Sequence, residues 1–266
     1  MIVAAWMLVL FAIMLIGIAK SGFGGGLGLI VVPLCVIGLA PLGYPSAVVL
    51  GLLLPLLMIG DVISVVQYRK QIDWSKIKRL CLPTAMGIVI GGFLLYAIKH
   101  QSNERLVAAL IRTEIGIESI LLVGLTWWRS SRGVQLKLLP EPGRSIGIGT
   151  FAGVSSTLAH AAGPIVAMYL LPLKLDRRVF VGTSAFFFFL ANWAKVPVYY
   201  QAGAFEQVDW RWVIYGAPLV LVGAVAGRWM NKQMSDKLFS RVVLWTTFLL
   251  GFYLVIEGVW QIVQSV

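Results

Sequence analysis

Charge is what this chain is short of. Only 12% of its 266 residues are Asp, Glu, Lys or Arg, about half the 25% share of a soluble domain. Histidine is limited to two residues, His100 and His160, and cysteine to two, Cys35 and Cys81. Neither a CxxC nor an HExxH spacing occurs, so the sequence carries no disulfide, metal-centre or metallohydrolase signal. The cysteines read as small residues of apolar segments. No polar stretch is long enough to fold as a separate soluble domain, which predicts a single transmembrane domain over 1–266. A basic leader followed by a polar, small-residue cleavage site is also lacking, so the first apolar segment is expected to remain as a span.

What is present is apolar. Hydrophobic residues make up 59% and the mean hydropathy is +0.88, which predicts an all-α polytopic membrane protein. Apolar runs fall at about 2–19, 27–40, 45–68, 76–98, 103–128, 144–159, 163–172, 178–200, 209–230 and 237–263. Runs near twenty residues match a hydrocarbon core about 30 Å thick; those at 27–40 and 163–172 are too short. The pattern predicts eight to ten transmembrane segments with two broken or hairpin elements. The net charge of +11 sits in short connections between apolar runs, a positive-inside signature with anionic lipid as partner rather than nucleic acid.

The halves match. At an offset of 131, Gly22 falls on Gly153, Pro33 on Pro164, Gly51 on Gly182, Asp61 on Asn192 and Tyr68 on Tyr199. Beyond a five-residue insertion the offset becomes 136, pairing Asp73-Trp74 with Asp209-Trp210, Gly87 with Gly223 and Gly91 with Gly227. This predicts two five-element repeats, about 1–128 and 144–266. Loops near 69–79, 129–144, 173–178 and 231–241 hold 15 of the 22 lysines and arginines, which places them inside. Equivalent loops then face opposite sides: the repeats are inverted and both termini lie outside.

Five glycines crowd Lys20-Ser21-Gly22-Phe23-Gly24-Gly25-Gly26-Leu27-Gly28. Each costs a helix interior about 1 kcal/mol relative to Ala, and within a bilayer unwound backbone persists only inside protein or along a water-filled cavity. The second half has Ser155, Ser156 and Thr157 at the corresponding tip, ahead of His160 and Pro164. Helix N-termini following such tips favour an anion. The expected substrate-binding residues are therefore Lys20, Ser21, Gly22, Gly24, Gly25, Gly26, Ser155, Ser156, Thr157, His160 and Asn192. Lys20 either neutralises the anion or snorkels to the cytoplasmic interface; His160 is either a proton relay or a structural histidine. Asp61, Arg112, Glu114, Glu118 and Lys195 are expected along a pathway or in ion coupling, because charges at mid-span must meet partners or water. A structural or intersubunit ion pair is the alternative for the fifth element. Whether the tips are re-entrant or end full spans is left open.

The Lys20–Gly28 tip with Pro33, the Gly153–Pro164 tip and the duplicated Asp-Trp loops resemble the sulfite exporter TauE/SafE family of membrane transporters. The resemblance implies a bacterial-type plasma-membrane protein moving sulfite, sulfoacetate or another organosulfonate, with both tips lining the substrate site. Protons are the expected coupling ion, no cofactor or enzymatic activity is implied, and homo-oligomer formation stays open. Two other readings stand beside a secondary transporter working by alternating access. One is a passive anion channel on the same scaffold. The other, an intramembrane enzyme built on Ser155 or Ser156 with His160, lacks a third orienting group.

Overall fold

A computed structural model describes residues 2–22, 28–101, 103–132, 142–233 and 236–265. All regular structure among them is helical. The order is α1 (Ile2–Gly22), α2 (Gly28–Leu39), α3 (Val48–Tyr68), α4 (Trp74–Lys99), α5 (Glu104–Arg132), α6 (Gly143–Ala159), α7 (Gly163–Leu170), α8 (Arg177–Gln201), α9 (Trp210–Gln233) and α10 (Asp236–Ser265). The two short apolar runs become α2 and α7, each ending in a 3-10 turn, Ala40–Leu42 and Leu171–Leu173. Both turns carry a proline and stop at a left-handed residue, Gly43 and Lys174. Among the described residues six helices, including α1, α3, α4, α8 and α9, are long and apolar enough to cross a membrane. α6 has 17 residues, and α5 is interrupted by Arg112, Glu114 and Glu118. Helices suit this solvent because each satisfies its own backbone hydrogen bonds.

Packing between the halves is reciprocal. α4 lies along α6, α1 along α9, and α5 along α10, while α3 and α8 meet in the interior. Glycine permits the tightest approaches. A Cβ on Gly87 would sit 2.0 Å from the Thr150 carbonyl oxygen, and one on Gly223 would sit 2.1 Å from that of Met14. Gly91 and Gly227 repeat the pattern against the carbonyls of Val154 and Ile18. The partners of Gly87 and Gly223, Thr150 and Met14, stand 136 residues apart in the chain, as do Gly153 and Gly17. The left-handed residues Gly43 and Lys174 stand 131 apart.

The core runs through the middle of the bundle, with α2 and most of α3 buried. Large apolar side chains such as Phe93, Trp229 and Trp260 are exposed on the outer helices, as lipid-facing surface requires. Cys35 and Cys81 are free. Asp73 caps α4, its carboxylate accepting from the backbone N–H groups of Ser75 and Lys76 at 3.0 and 3.3 Å.

Candidate functional site

The strongest concentration of buried polar groups lies where the end of α1 and the end of α6 meet α3 and α8. Lys20, in the last turn of α1, donates to Oδ1 of Asp61 on α3. Oδ2 of the same carboxylate accepts from the Asn192 amide on α8. The Lys20 ammonium also stands 4.7 Å over the Phe188 ring. Lys20 does not snorkel: its relative exposure is 7%, and that of Asp61 is 0%. A buried ammonium needs such a carboxylate, since either charge alone would cost several kcal/mol in desolvation.

One turn beyond Asn192, Lys195 is also fully buried. Its ammonium donates to the Ser156 carbonyl at 3.0 Å and to Nδ1 of His160 at 2.9 Å. Nε2 of the ring lies 3.0 Å from the Leu50 carbonyl. The Leu50 carbonyl can only accept, so Nε2 carries the hydrogen and Nδ1 accepts from Lys195, assigning a neutral imidazole from the hydrogen-bond pattern. No carboxylate lies within ion-pair distance of Lys195 among the described residues. The centre therefore holds two lysines and one aspartate.

His160 shapes the second tip as well as lining it. It ends α6 in the left-handed region at φ 51°, and Ala161 N–H reaches back to the Ser155 carbonyl at 3.4 Å. Chain direction then reverses into α7, whose N-cap Ala162 offers no side-chain cap. Pro164 sits in that first turn, where its missing N–H costs no intrahelical bond.

The three hydroxyl residues of this tip separate. Ser156 brings its carbonyl to Lys195. Thr157 turns its hydroxyl back to the Gly153 carbonyl at 2.9 Å, while its own carbonyl accepts from the Tyr199 hydroxyl at 2.6 Å. Ser155 faces away, lining a cavity of about 440 Å³ with Glu114 and Glu118 of α5. Arg112 points elsewhere, bonding the Ser46 hydroxyl and pairing with Glu257 of α10. On the first side Ser21 presents its carbonyl to the Tyr68 hydroxyl at 3.3 Å, and its own hydroxyl is buried without a partner, like that of Ser64 on α3. Gly22 closes α1; Gly24, Gly25 and Gly26 lie outside the described residues.

Both ring nitrogens of His160 are committed, to Lys195 and to the Leu50 carbonyl, so it makes no base–hydroxyl pair with Ser155 or Ser156. That removes the geometry an intramembrane hydrolase would need. Tyr199 and Phe188 belong to the centre but were not singled out for it by residue type. The matching of Tyr68 with Tyr199 was the available signal: both hydroxyls reach a tip carbonyl, Ser21 in one half and Thr157 in the other.

No curated protein and no solved structure matches the chain. The family model described as Sulfite exporter TauE/SafE matches residues 9–254, nearly the whole length and both tips. A buried cationic centre in a multi-pass helical membrane protein agrees with a family of transporters, not enzymes, for sulfur anions such as sulfite: this chain belongs to the sulfite exporter TauE/SafE family.

Proposed function

We propose that the chain exports a small sulfur-containing anion, such as sulfite, sulfoacetate or another organosulfonate, across the plasma membrane by alternating access around the Lys20–Asp61–Asn192–Lys195–His160 centre. The observation that carries this reading is the Lys195 side chain, wholly buried, hydrogen-bonded to the neutral Ser156 carbonyl and His160 ring, and with no carboxylate within ion-pair distance among the described residues. An anion is the counter-charge this arrangement lacks. Sulfonate and sulfite oxygens would accept from the remaining ammonium protons, from the buried Ser21 and Ser64 hydroxyls, and from the first-turn N–H groups of α7.

On this reading the halves 1–128 and 144–266 are inverted repeats with both termini outside, and the reciprocal packing of α1 with α9 and α4 with α6 supports them. The burial of every member of the centre supports an occluded form, with openings to either side made in turn. A channel would instead need a continuous wet path past Lys195.

Flux of labelled sulfite, sulfoacetate, taurine and sulfate into proteoliposomes tests the proposal. Sulfonate or sulfite should move with saturation and show counterflow, and Lys195→Met should abolish both. Non-saturating flux without counterflow would identify a channel, and unaltered transport in Lys195→Met would remove the centre from the pathway.

A further inference from the structure

The anion centre leaves unused two carboxylates on α5. Glu114 and Glu118 are one helical turn apart on one face and line the cavity against α6, whose walls are otherwise apolar apart from Thr113 and Ser155. The Ser155 hydroxyl and the Glu118 carboxylate adjoin each other there. Ser155 Oγ and Glu118 Oε2 are both buried, and neither is held by a hydrogen bond of good geometry. The Glu114 and Glu118 side chains also come within hydrogen-bonding reach of each other, a contact that only a carboxylic acid O–H on one of them can supply. Two carboxylates so close, in surroundings of low polarity, repel each other unless they share a proton.

The pair is connected to the anion centre by short structural links. Ser155, Ser156 and Thr157 form the last turn of α6: the first touches the acid pair, the second holds Lys195 and the third holds Tyr199. The Tyr199 phenol is within electrostatic reach of both glutamates. Its ring lies 5.8 Å from that of His160 and 5.8 Å from the Lys195 ammonium.

Other groups around α5 are engaged or uncharged. Glu257 of α10 is taken by Arg112, with Tyr253 one turn before it. Lys99 at the end of α4 donates to the Gly203 carbonyl. α2 offers only Cys35 and α7 only Tyr169, and on α6 the one charged side chain, Arg144, donates to the Tyr169 carbonyl at 2.6 Å.

We propose that Glu114 and Glu118 form a proton-binding site, loaded through the α5–α6 cavity, whose occupancy is coupled through the last turn of α6 to anion binding at Lys195. The inference rests on the anion-transport reading above. Loading adds one proton to the pair and breaks no covalent bond. It cancels a negative charge near the centre, so proton and anion favour each other's binding and travel together. By linkage, anion affinity rises as pH falls, and anion binding draws in about one proton per chain.

Purified protein in weakly buffered detergent with a pH indicator tests this, with sulfoacetate and then sulfite as the added anion. Wild type should take up a proton on binding. Glu118→Gln should bind the anion within about threefold of wild type at low pH, with no proton uptake and an affinity that no longer changes with pH. Glu114→Gln, in case the first variant folds poorly, should lose the uptake as well. Uptake persisting in both variants, or sodium rather than protons setting the affinity, overturns the proposal. If no probe binds wild type, the anion reading fails instead. Infrared titration of the anion-free protein then still decides the proton site: a carboxylic-acid band removed by Glu118→Gln supports it, and no such band refutes it.

Discussion

Lys20 and Lys195 share one buried centre, yet among the described residues only Lys20 has a carboxylate against it. This inequality sets opposite expectations for the two residues. Lys195→Met removes a buried amine that has no carboxylate in ion-pair contact, and should raise the melting temperature in detergent while lowering anion affinity at least tenfold, about 1.4 kcal/mol. A fall in melting temperature with affinity intact would place Lys195 among structural groups.

Asp61→Asn leaves the Lys20 ammonium buried with no counter-charge. Breaking such a pair costs about 3–5 kcal/mol. The double variant Lys20→Met/Asp61→Asn should recover most of that loss, because neither charge is then stranded. Thermal melts of the two single variants and the double variant give the coupling directly, and simple additivity would show that the pair contributes no interaction of its own.

Gly87→Ala and Gly223→Ala should each destabilise the fold, since a Cβ at either site meets backbone within 2.1 Å and the helices must separate. Overpacking of this kind costs about 1–3 kcal/mol. Gly124→Ala, where nothing lies within 4 Å, should be neutral or slightly stabilising. Denaturation midpoints of the three variants check the contrast.

Asp209 lies just ahead of α9, where Arg211 grips both carboxylate oxygens at 2.9–3.2 Å and the Tyr44 hydroxyl adds a bond at 2.9 Å. The Arg211 hydrogen bonds lead in holding its carboxyl down to about 2. A carboxyl lowered on folding contributes stability above its unfolded value, near 3.9, and loses it as pH falls toward 2. Wild type should therefore exceed Asp209→Asn in melting temperature above about pH 4, the gap closing toward pH 2. A gap that does not change with pH would show that the carboxylate charge is not what matters.

Long apolar runs made the helices legible, since period and length alone decide them, and the two short runs announced α2 and α7. Lys20, Asp61 and Asn192 were legible as site candidates because polar groups at membrane depth are costly and must pair. Which pairs form was not legible. Arg112, two residues from Glu114, turns to Glu257 on α10 instead, a contact set by helix rotation across 145 residues of sequence. Ser155 and Ser156 are neighbours with different partners for the same reason: one lines the cavity with Glu118, the other brings its carbonyl to Lys195. The close helix approaches at Gly87 and Gly223 were not legible either, because glycine recurs too often in this chain for one position to announce a contact.

Asp61 and Asn192, equivalent positions on the inverted-repeat reading proposed above, bond to one another. Two identical chains related by a twofold axis would have to bring the same residue to that meeting point from both sides. Two aspartates would repel, and two asparagines would leave Lys20 bare. Joining the halves in a single polypeptide lifts that constraint: one copy is free to keep the acid while the other becomes its amide, and symmetry is given up at the one spot where it would be most costly.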